Sequence, residues 1–591
     1  MPGPEQQGRL AKRIWRQLSP AKRREFFQVL LLMVVAALAD VFSLGAVIPF
    51  LALLADPDRL LDYPAARDFL AGLGLTGKAE VLLAATLLFA ALALISGAVR
   101  ILLNWRSNLY AYMVGNELGV AYFDRTLSRP YAYHALHNSS ETVASIKKVQ
   151  AIAHQMLLPA MLSISSVIGA AFIVAALLAV DAATTLIAFA GFILIYLITG
   201  RITRPRLRRN SRLLSVAHGR RIQHIQEALG GIRDLIIDRA RPAFVRRFRE
   251  VDGEMQMAEA TTSFISGAPR LLIEAVGMAM IAFVACFALL RSGDLGAVLP
   301  VLGVLALGAQ RLLPLMQTLY KSWATIAGNR ALAEDILLVL EAPAEAPAGA
   351  PAAPITTFRR DIRLRSVDFH YAAADRPALR GIDLVIPKGT KVGLIGRSGS
   401  GKSTAMDLLM GLLEPTSGRI EIDGCSLVPA NAADWQREIA HVPQDLFLAD
   451  ASIRENIAFG ADPVDIDDAR VRGAAEAADI AGFIEGLPAG FDTIVGERGT
   501  RLSGGQRQRL GIARALYKQA SVIFFDEATS ALDGETEAAV MAAIERLDPD
   551  LTIILVAHRT STLAFCDQII RLEEGRVVEA GSFHQVVRRA G

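Results

Sequence analysis

Six apolar stretches occupy the first 340 residues, at about 26–54, 79–104, 156–180, 182–199, 264–290 and 295–319. Each is close to or above the ~20 residues that a helix needs to cross a bilayer. That pattern excludes a wholly water-soluble fold and predicts an α-helical membrane domain. Six crossings put both termini on one side. The first stretch is too long for a cleaved signal peptide, and no cleavage site follows it.

Orientation follows from basic residues. Arg9, Lys12, Arg13, Arg16, Lys22, Arg23 and Arg24 precede the first stretch; Arg201, Arg204, Arg206, Arg208, Arg209 and Arg212 follow the fourth. Both clusters belong on the cytoplasmic side, with contact to anionic headgroups as a second role. The connections at about 106–155 and 201–263 are helical in composition, so the membrane helices are expected to continue into the cytoplasm. Short external turns are expected at Asp181 and near 292–294. The stretch at about 56–77 reads equally as an interfacial helix or a surface loop.

Residues 341–354, EAPAEAPAGAPAAP, carry four prolines in fourteen positions. No packed element tolerates that spacing, so this is a semi-rigid linker. It separates a membrane domain, 1–340, from a second domain, 355–591, in which short apolar strands alternate with helical segments as in an α/β domain. The length, 591 residues, itself calls for more than one domain. A net charge of +3 gives no bulk attraction to nucleic acid. Cys286, Cys425 and Cys566 lie too far apart in sequence for a metal motif or a disulfide framework.

In the second domain the strand at 391–395 leads into GRSGSGKST, Gly396 to Thr404. The match is to G-x-x-x-x-G-K-[ST]. Gly396, Ser398, Gly399, Ser400 and Gly401 offer backbone N–H groups to phosphate oxygens. Lys402 reaches the β- and γ-phosphates and the Ser403 hydroxyl can ligate Mg²⁺. A helix starting at Thr404 adds its positive end. A second apolar strand, 521–525, delivers Asp526 toward Mg²⁺, through water, and Glu527 as the general base. Further on, LSGGQ spans 502–506 ahead of a helical run at 507–517, so Ser503, Gly504, Gly505 and Gln506 form a second anion cradle.

LSGGQ together with that P-loop resembles the nucleotide-binding domain of ABC transporters, and six spans followed by one such domain resembles an exporter-type half-transporter. The resemblance implies ATP and Mg²⁺ as cofactors. It also implies a head-to-tail dimer, in which one P-loop faces the other subunit's LSGGQ. By the same resemblance Tyr371, 25 residues before Gly396, stacks on adenine. Gln444 after IAHVP touches Mg²⁺, and Glu497 in TIVGERG lies in the exporter-specific loop. Ser530–Asp533 joins the two sites, and His558 senses the γ-phosphate. Glu527, His558 and Gln444 are the implied catalytic set. With that set intact, both sites of a homodimer should hydrolyse ATP.

The transported substrate must be read from ionisable residues inside apolar stretches, which are costly there. They are Asp40, Arg100, Arg270, Glu274 and Arg311. Counted at 1.5 Å per residue, Arg100, Arg270 and Arg311 fall in the cytoplasmic half of the bilayer. Together they suggest a basic inward-facing cavity for an anionic, phosphate-bearing substrate. The competing reading is structural: Arg100 snorkels, Arg270 and Glu274 pair at i,i+4, and Asp40 pairs with an arginine. The segments VIPFLALL, EALGGIRDL and PRLLIEAVG are similar to bacterial lipid-linked oligosaccharide flippases. That similarity implies a polyprenyl-diphosphate-linked glycan as substrate and the bacterial inner membrane as location. The alternatives are a general lipid or multidrug exporter, and a membrane regulator that uses ATP as a switch.

Overall fold

The computed structural model describes residues 4–46, 50, 78–180, 182–292, 295–342, 353–371, 376–526, 538, 542, 550–556 and 563–586. The expected external stretch 56–77, the turns at Asp181 and 293–294, and most of the linker lie outside them. The chain divides into two compact units, Met1–Arg129 with His134–Ala344, and Pro130–Tyr133 with Glu345–Gly591.

The first unit is helical: α1 (Pro4–Gln17), α2 (Pro20–Gly45), α3 (Lys78–Leu127), α4 (Ser139–Ile152), α5 (Leu158–Val180), α6 (Ala182–Gly230), α7 (Arg241–Ser292) and α8 (Leu295–Glu341). Helices α3, α6, α7 and α8 contain 50, 49, 52 and 47 residues. At 1.5 Å per residue each is about 70–80 Å long, more than twice a ~30 Å hydrocarbon core. Each is therefore long enough to cross that core and continue well beyond it as unbroken helix. Among the described residues three segments are long and apolar enough to cross a membrane, Pro20–Ser43, Ala79–Leu127 and Ser140–Ala175. The six-span count is not established, because many side chains of α6, α7 and α8 lie outside the description.

Sequence explains the breaks and junctions. Pro20 opens α2, where a missing N–H costs nothing; Ser19 ahead of it donates its N–H and hydroxyl to the Glu117 carboxylate at 2.7 and 3.1 Å. Pro205 and Pro269 sit inside α6 and α7, each removing a helix hydrogen bond. Between α4 and α5 the chain makes a π-helical turn, Ala153–Leu157. Opposite it α3 carries Gly115, where an added Cβ would stand 2.7 Å from the Ala153 Cβ. Buried Leu10 and Ile14 of α1, with Leu18 just after it, join Ile336, Leu337 and Leu340 of α8 in one core, and Arg13 Nη2 meets Glu341 at 2.6 Å.

The second unit contains two sheets. One is antiparallel, in the order β2 (Leu379–Pro387), β1 (Asp361–Phe369), β4 (Ser417–Ile422), β5 (Cys425–Ser426). The other has the order β10 (Arg576–Gly581), β9 (Gln568–Glu573), β3 (Lys391–Ile395), β8 (Thr552–Val556), β7 (Val522–Asp526), β6 (Ile439–Val442), parallel from β9 to β6. Four consecutive buried residues in β7, Val522 to Phe525, are what a strand covered on both faces requires. Helix α9 (Lys402–Leu409) follows β3. Its last turn is held by buried Trp435, whose indole N–H donates to the Leu409 carbonyl at 2.7 Å.

Candidate functional site

The central strand β3 delivers the glycine-rich loop at its carboxyl end, where α/β sheets place ligands. Two of the glycines are dictated by sterics. Gly396 has φ +153° and a Cβ there would lie 2.3 Å from the Leu572 carbonyl. Gly401, at φ +101°, would bring a Cβ to 2.8 Å from the Ala378 carbonyl. Any larger residue would push the loop off this path.

Helix α9 starts at Lys402, two residues earlier than the sequence suggested. Lys402 is 7% exposed, and its amine donates to the carbonyls of Gly396 and Arg397 at 2.8 and 3.1 Å. The Ser400 hydroxyl is buried with no hydrogen-bond partner among the described residues, while Ser398, Gly399 and Ser403 are exposed. A buried amine and an orphaned hydroxyl around a helix start fit a phosphate chain. Thr404 Oγ1 lies 3.2 Å from the Tyr371 hydroxyl. The Tyr371 ring, edge-on to Phe369 at 4.8 Å, therefore stands beside the loop's helix.

Asp526 closes β7, two strands from β3 in the same sheet. Asp407 of α9 feels it: burial first, and then the Asp526 carboxylate, push the Asp407 carboxyl up to about 6. Gln444 is exposed two residues beyond β6. A hydroxyl, a carboxylate and an amide oxygen are hard donors that suit Mg²⁺, so Ser403, Gln444 and Asp526 fit that ion. Glu527, Ser530–Asp533 and His558 lie outside the described residues.

The LSGGQ segment departs from the simple expectation. Ser503 is the N-cap of α10 (Gly504–Tyr517). Its Oγ accepts from the Gln506 N–H at 3.2 Å, and its own N–H donates to Gln506 Oε1 at 2.8 Å. This capping box engages both side chains within the segment. The Ser503 hydroxyl proton and the N–H groups of Gly504 and Gly505 remain for an anion. Glu497 sits in a short 3₁₀ turn, Glu497–Gly499, and is exposed.

One residue escaped the sequence reading. Arg514 of α10 donates to the carbonyls of Asn456 and Phe447, both at 2.9 Å, with its guanidinium 4.5 Å from the Phe459 ring. It joins the segment just after Gln444 to the helix that starts at LSGGQ. Only the fold brings those stretches together.

In the first unit, Arg100 Nε bonds Asp40 at 2.6 Å, and Ser96 donates to the same oxygen at 2.7 Å. Arg270 Nε bonds Glu274 at 2.7 Å, and Gln317 adds a 3.4 Å contact to Glu274. Both arginines thus carry a carboxylate partner, yet the Arg270 side chain stays 64% exposed. The Arg311 side chain lies outside the described residues.

Residues 379–530 match the family described as ABC transporter, and residues 26–302 match its transmembrane region. The chain belongs to the ABC transporter family. It has a helical transmembrane domain followed by an ABC ATPase domain. It is 46% identical over 260 residues to an ATP-dependent lipid A-core flippase of Ralstonia nicotianae, covering 44% of each protein. It is 34% identical over 393 residues to a flippase of the same description from Xanthomonas axonopodis pv. citri, covering 65% of each. The matches thus span from under half to just under two thirds of these relatives' lengths. Over 97% of both chains the fold matches a bacterial Atm1-family ABC exporter with ATP bound, with TM-score 0.80 and 24% identity.

Proposed function

We propose that this ABC transporter is one half of an ATP-driven flippase that moves a phosphate-bearing glycolipid across the bacterial inner membrane. The observation that carries the substrate class is Arg270, an exposed guanidinium inside an apolar stretch. Facing lipid would be costly, so such a group belongs against a polar cavity. A polyprenyl-diphosphate-linked oligosaccharide is the substrate we favour, on the VIPFLALL, EALGGIRDL and PRLLIEAVG segments. A lipid A-type glycolipid is the second reading, supported by the description of the relatives. Both substrates present phosphate next to sugar. A general exporter of apolar compounds has less support, since nothing in such a substrate would need Arg100 or Arg270.

The proposed working unit is a homodimer. In it the P-loop of one protomer and the LSGGQ of its partner share each ATP. When bound, Mg²⁺ supplies charge neutralisation on the phosphates, held by Ser403, Gln444 and, through water, Asp526. Lys402 exchanges its loop carbonyls for phosphate oxygens, Tyr371 stacks on the base, and the Gly504 and Gly505 N–H groups cap the phosphate from the facing protomer. Glu527 takes a proton from the attacking water while His558 holds the γ-phosphate. The long helical extensions relay the resulting movement, and the cavity alternates its access.

The test is ATP-dependent flipping in proteoliposomes, with a polyprenyl-diphosphate oligosaccharide and a lipid A-type glycolipid offered separately and Glu527→Gln as control. Movement of the first alone supports the favoured reading, and movement of the second alone supports the other. Movement of neither, with normal ATP turnover, overturns the glycolipid class.

A further inference from the structure

Helices α6, α7 and α8 share a small core. Leu207 of α6, Ile265 of α7 and Tyr320 and Ala324 of α8 are buried together, with Tyr196 of α6 packed against them. The Tyr196 ring lies 5.2 Å from the Tyr320 ring. Gln317, three residues before Tyr320 on α8, donates to Glu274 of α7 across a long 3.4 Å. Glu274 and Tyr320 are ionisable neighbours of the Tyr196 hydroxyl.

At this junction one donor and one acceptor are left over. Arg270 and Gln317 both bond the same Glu274 oxygen, Oε1, and Oε2 accepts no bond from any of the described residues. The Tyr320 hydroxyl has the Thr203 hydroxyl as a partner at 3.2 Å. The Tyr196 hydroxyl is buried and has no hydrogen-bond partner among the described residues. Native proteins rarely leave a buried hydroxyl so, because its lost hydration is not recovered.

A phosphate arriving at Arg270 changes the balance. A guanidinium that turns to phosphate is lost to Glu274, whose charge would then stand in an apolar stretch without a cation. That carboxylate needs new donors, and a hydrogen bond to a charged acceptor is the strong kind. Tyr196 has an unused O–H, beside the Gln317 amide that already touches Glu274.

We propose that Tyr196 is a positioning residue for the transported lipid: when the substrate's phosphate takes Arg270, the Tyr196 hydroxyl and the Gln317 amide take over the Glu274 carboxylate. The hand-over lowers the cost of releasing Arg270, and it ties Glu274 of α7 to α6 and α8 in place of its own helix. This role rests on the proposed transport of a phosphate-bearing lipid, which provides the ligand of Arg270.

The first arm of the test needs no lipid. In the full chain, Arg270→Ala removes the cation and so imitates its departure. Tyr196→Phe alone is expected to leave the thermal unfolding midpoint unchanged or slightly higher, because it deletes an unpaired buried hydroxyl. Added to Arg270→Ala, it is expected to lower the midpoint by about 1–3 °C. Added to Arg270→Ala with Glu274→Leu, it should have no such effect. An effect of Tyr196→Phe that is the same with and without Arg270, or that persists when Glu274 is replaced by leucine, overturns the hand-over. If Arg270→Ala does not fold, Arg270→Met keeps more of the packing and takes its place.

The second arm reads ATP turnover in nanodiscs against added polyprenyl-diphosphate oligosaccharide or lipid A-type glycolipid. Tyr196→Phe is expected to raise the half-stimulating lipid concentration about ten-fold, the worth of one hydrogen bond to a charged group, without changing the turnover reached at saturation. In the Glu274→Leu protein the same substitution should add nothing. An unchanged half-stimulating concentration in Tyr196→Phe, or an equal rise in the Glu274→Leu protein, overturns the role in transport. Stimulation of the wild type by neither lipid sinks the substrate reading alone, because the first arm still decides whether Tyr196 takes over Glu274.

Discussion

Lys402 Nζ lies 2.8 Å from the carbonyl oxygen of Gly396, so the amine proposed to bind phosphate is held by its own loop. Replacing it should therefore affect loop order as well as phosphate charge. Lys402→Ala is expected to lower ATP turnover about 10²–10³-fold, the usual cost of one aimed donor. Phosphate release by the purified protein checks this.

Gly401→Ala places a Cβ against the Ala378 carbonyl at a positive φ. It should destabilise the nucleotide-binding domain by about 1–3 kcal/mol and weaken nucleotide binding. Thermal unfolding with and without ATP reads both effects, and an unchanged midpoint would contradict the steric argument.

Ser503→Ala removes the acceptor that caps α10. A loss of about 1 kcal/mol is expected, or a few degrees in the unfolding midpoint, alongside reduced turnover. If the serine acted only on nucleotide, turnover alone would change.

Asp407 gives a pH dependence in the absence of nucleotide. Its folded carboxyl is pushed up to about 6 from the ordinary 3.8. Between those values the folded state holds a proton that the unfolded state has released, so stability falls as pH rises through that window. Asp407→Asn should be the more stable protein above pH 6, by about 1 kcal/mol once partial exposure is allowed for. The advantage should vanish below about pH 4. Denaturant titrations across pH 4–8 measure it.

Arg270 and Glu274 lie one turn apart and are bonded. Glu274→Gln frees the guanidinium. It is expected to raise the apparent affinity for an anionic glycolipid, while Arg270→Ala lowers transport and leaves basal ATP turnover largely intact. Equal loss of both activities in Arg270→Ala would mark the pair as structural.

The P-loop was legible because its chemistry is local: Gly396, Gly401 and Lys402 act within one turn of chain, and sterics permit little else. The strand ending at Asp526 was legible for a similar reason, since four buried residues in a row leave few choices. The i,i+4 spacing also made the Arg270–Glu274 pair foreseeable. What sequence could not give is contact between distant stretches. Asp40 needed an arginine, but nothing in the chain says that it is Arg100, 60 residues away. Arg514 reads as one more basic residue on a helix until the fold brings Phe447 and Asn456 to it. The Ser503–Gln506 bonds follow the S-x-x-Q spacing of a capping box, which the same five residues carry alongside their resemblance to a nucleotide cradle.

The π-turn between α4 and α5 has a consequence for how this chain can change over time. Such a turn is what one extra residue in an otherwise regular helix looks like. It rotates everything on one side by about 100° relative to the other. The face that α4 turns, through Lys148, toward Ser215 of α6 and Asp335 of α8 is thus set independently of the face that α5 presents higher up. Deleting a single residue from 153–157 would bring the two back into a common phase, and one of the two faces would then point the wrong way.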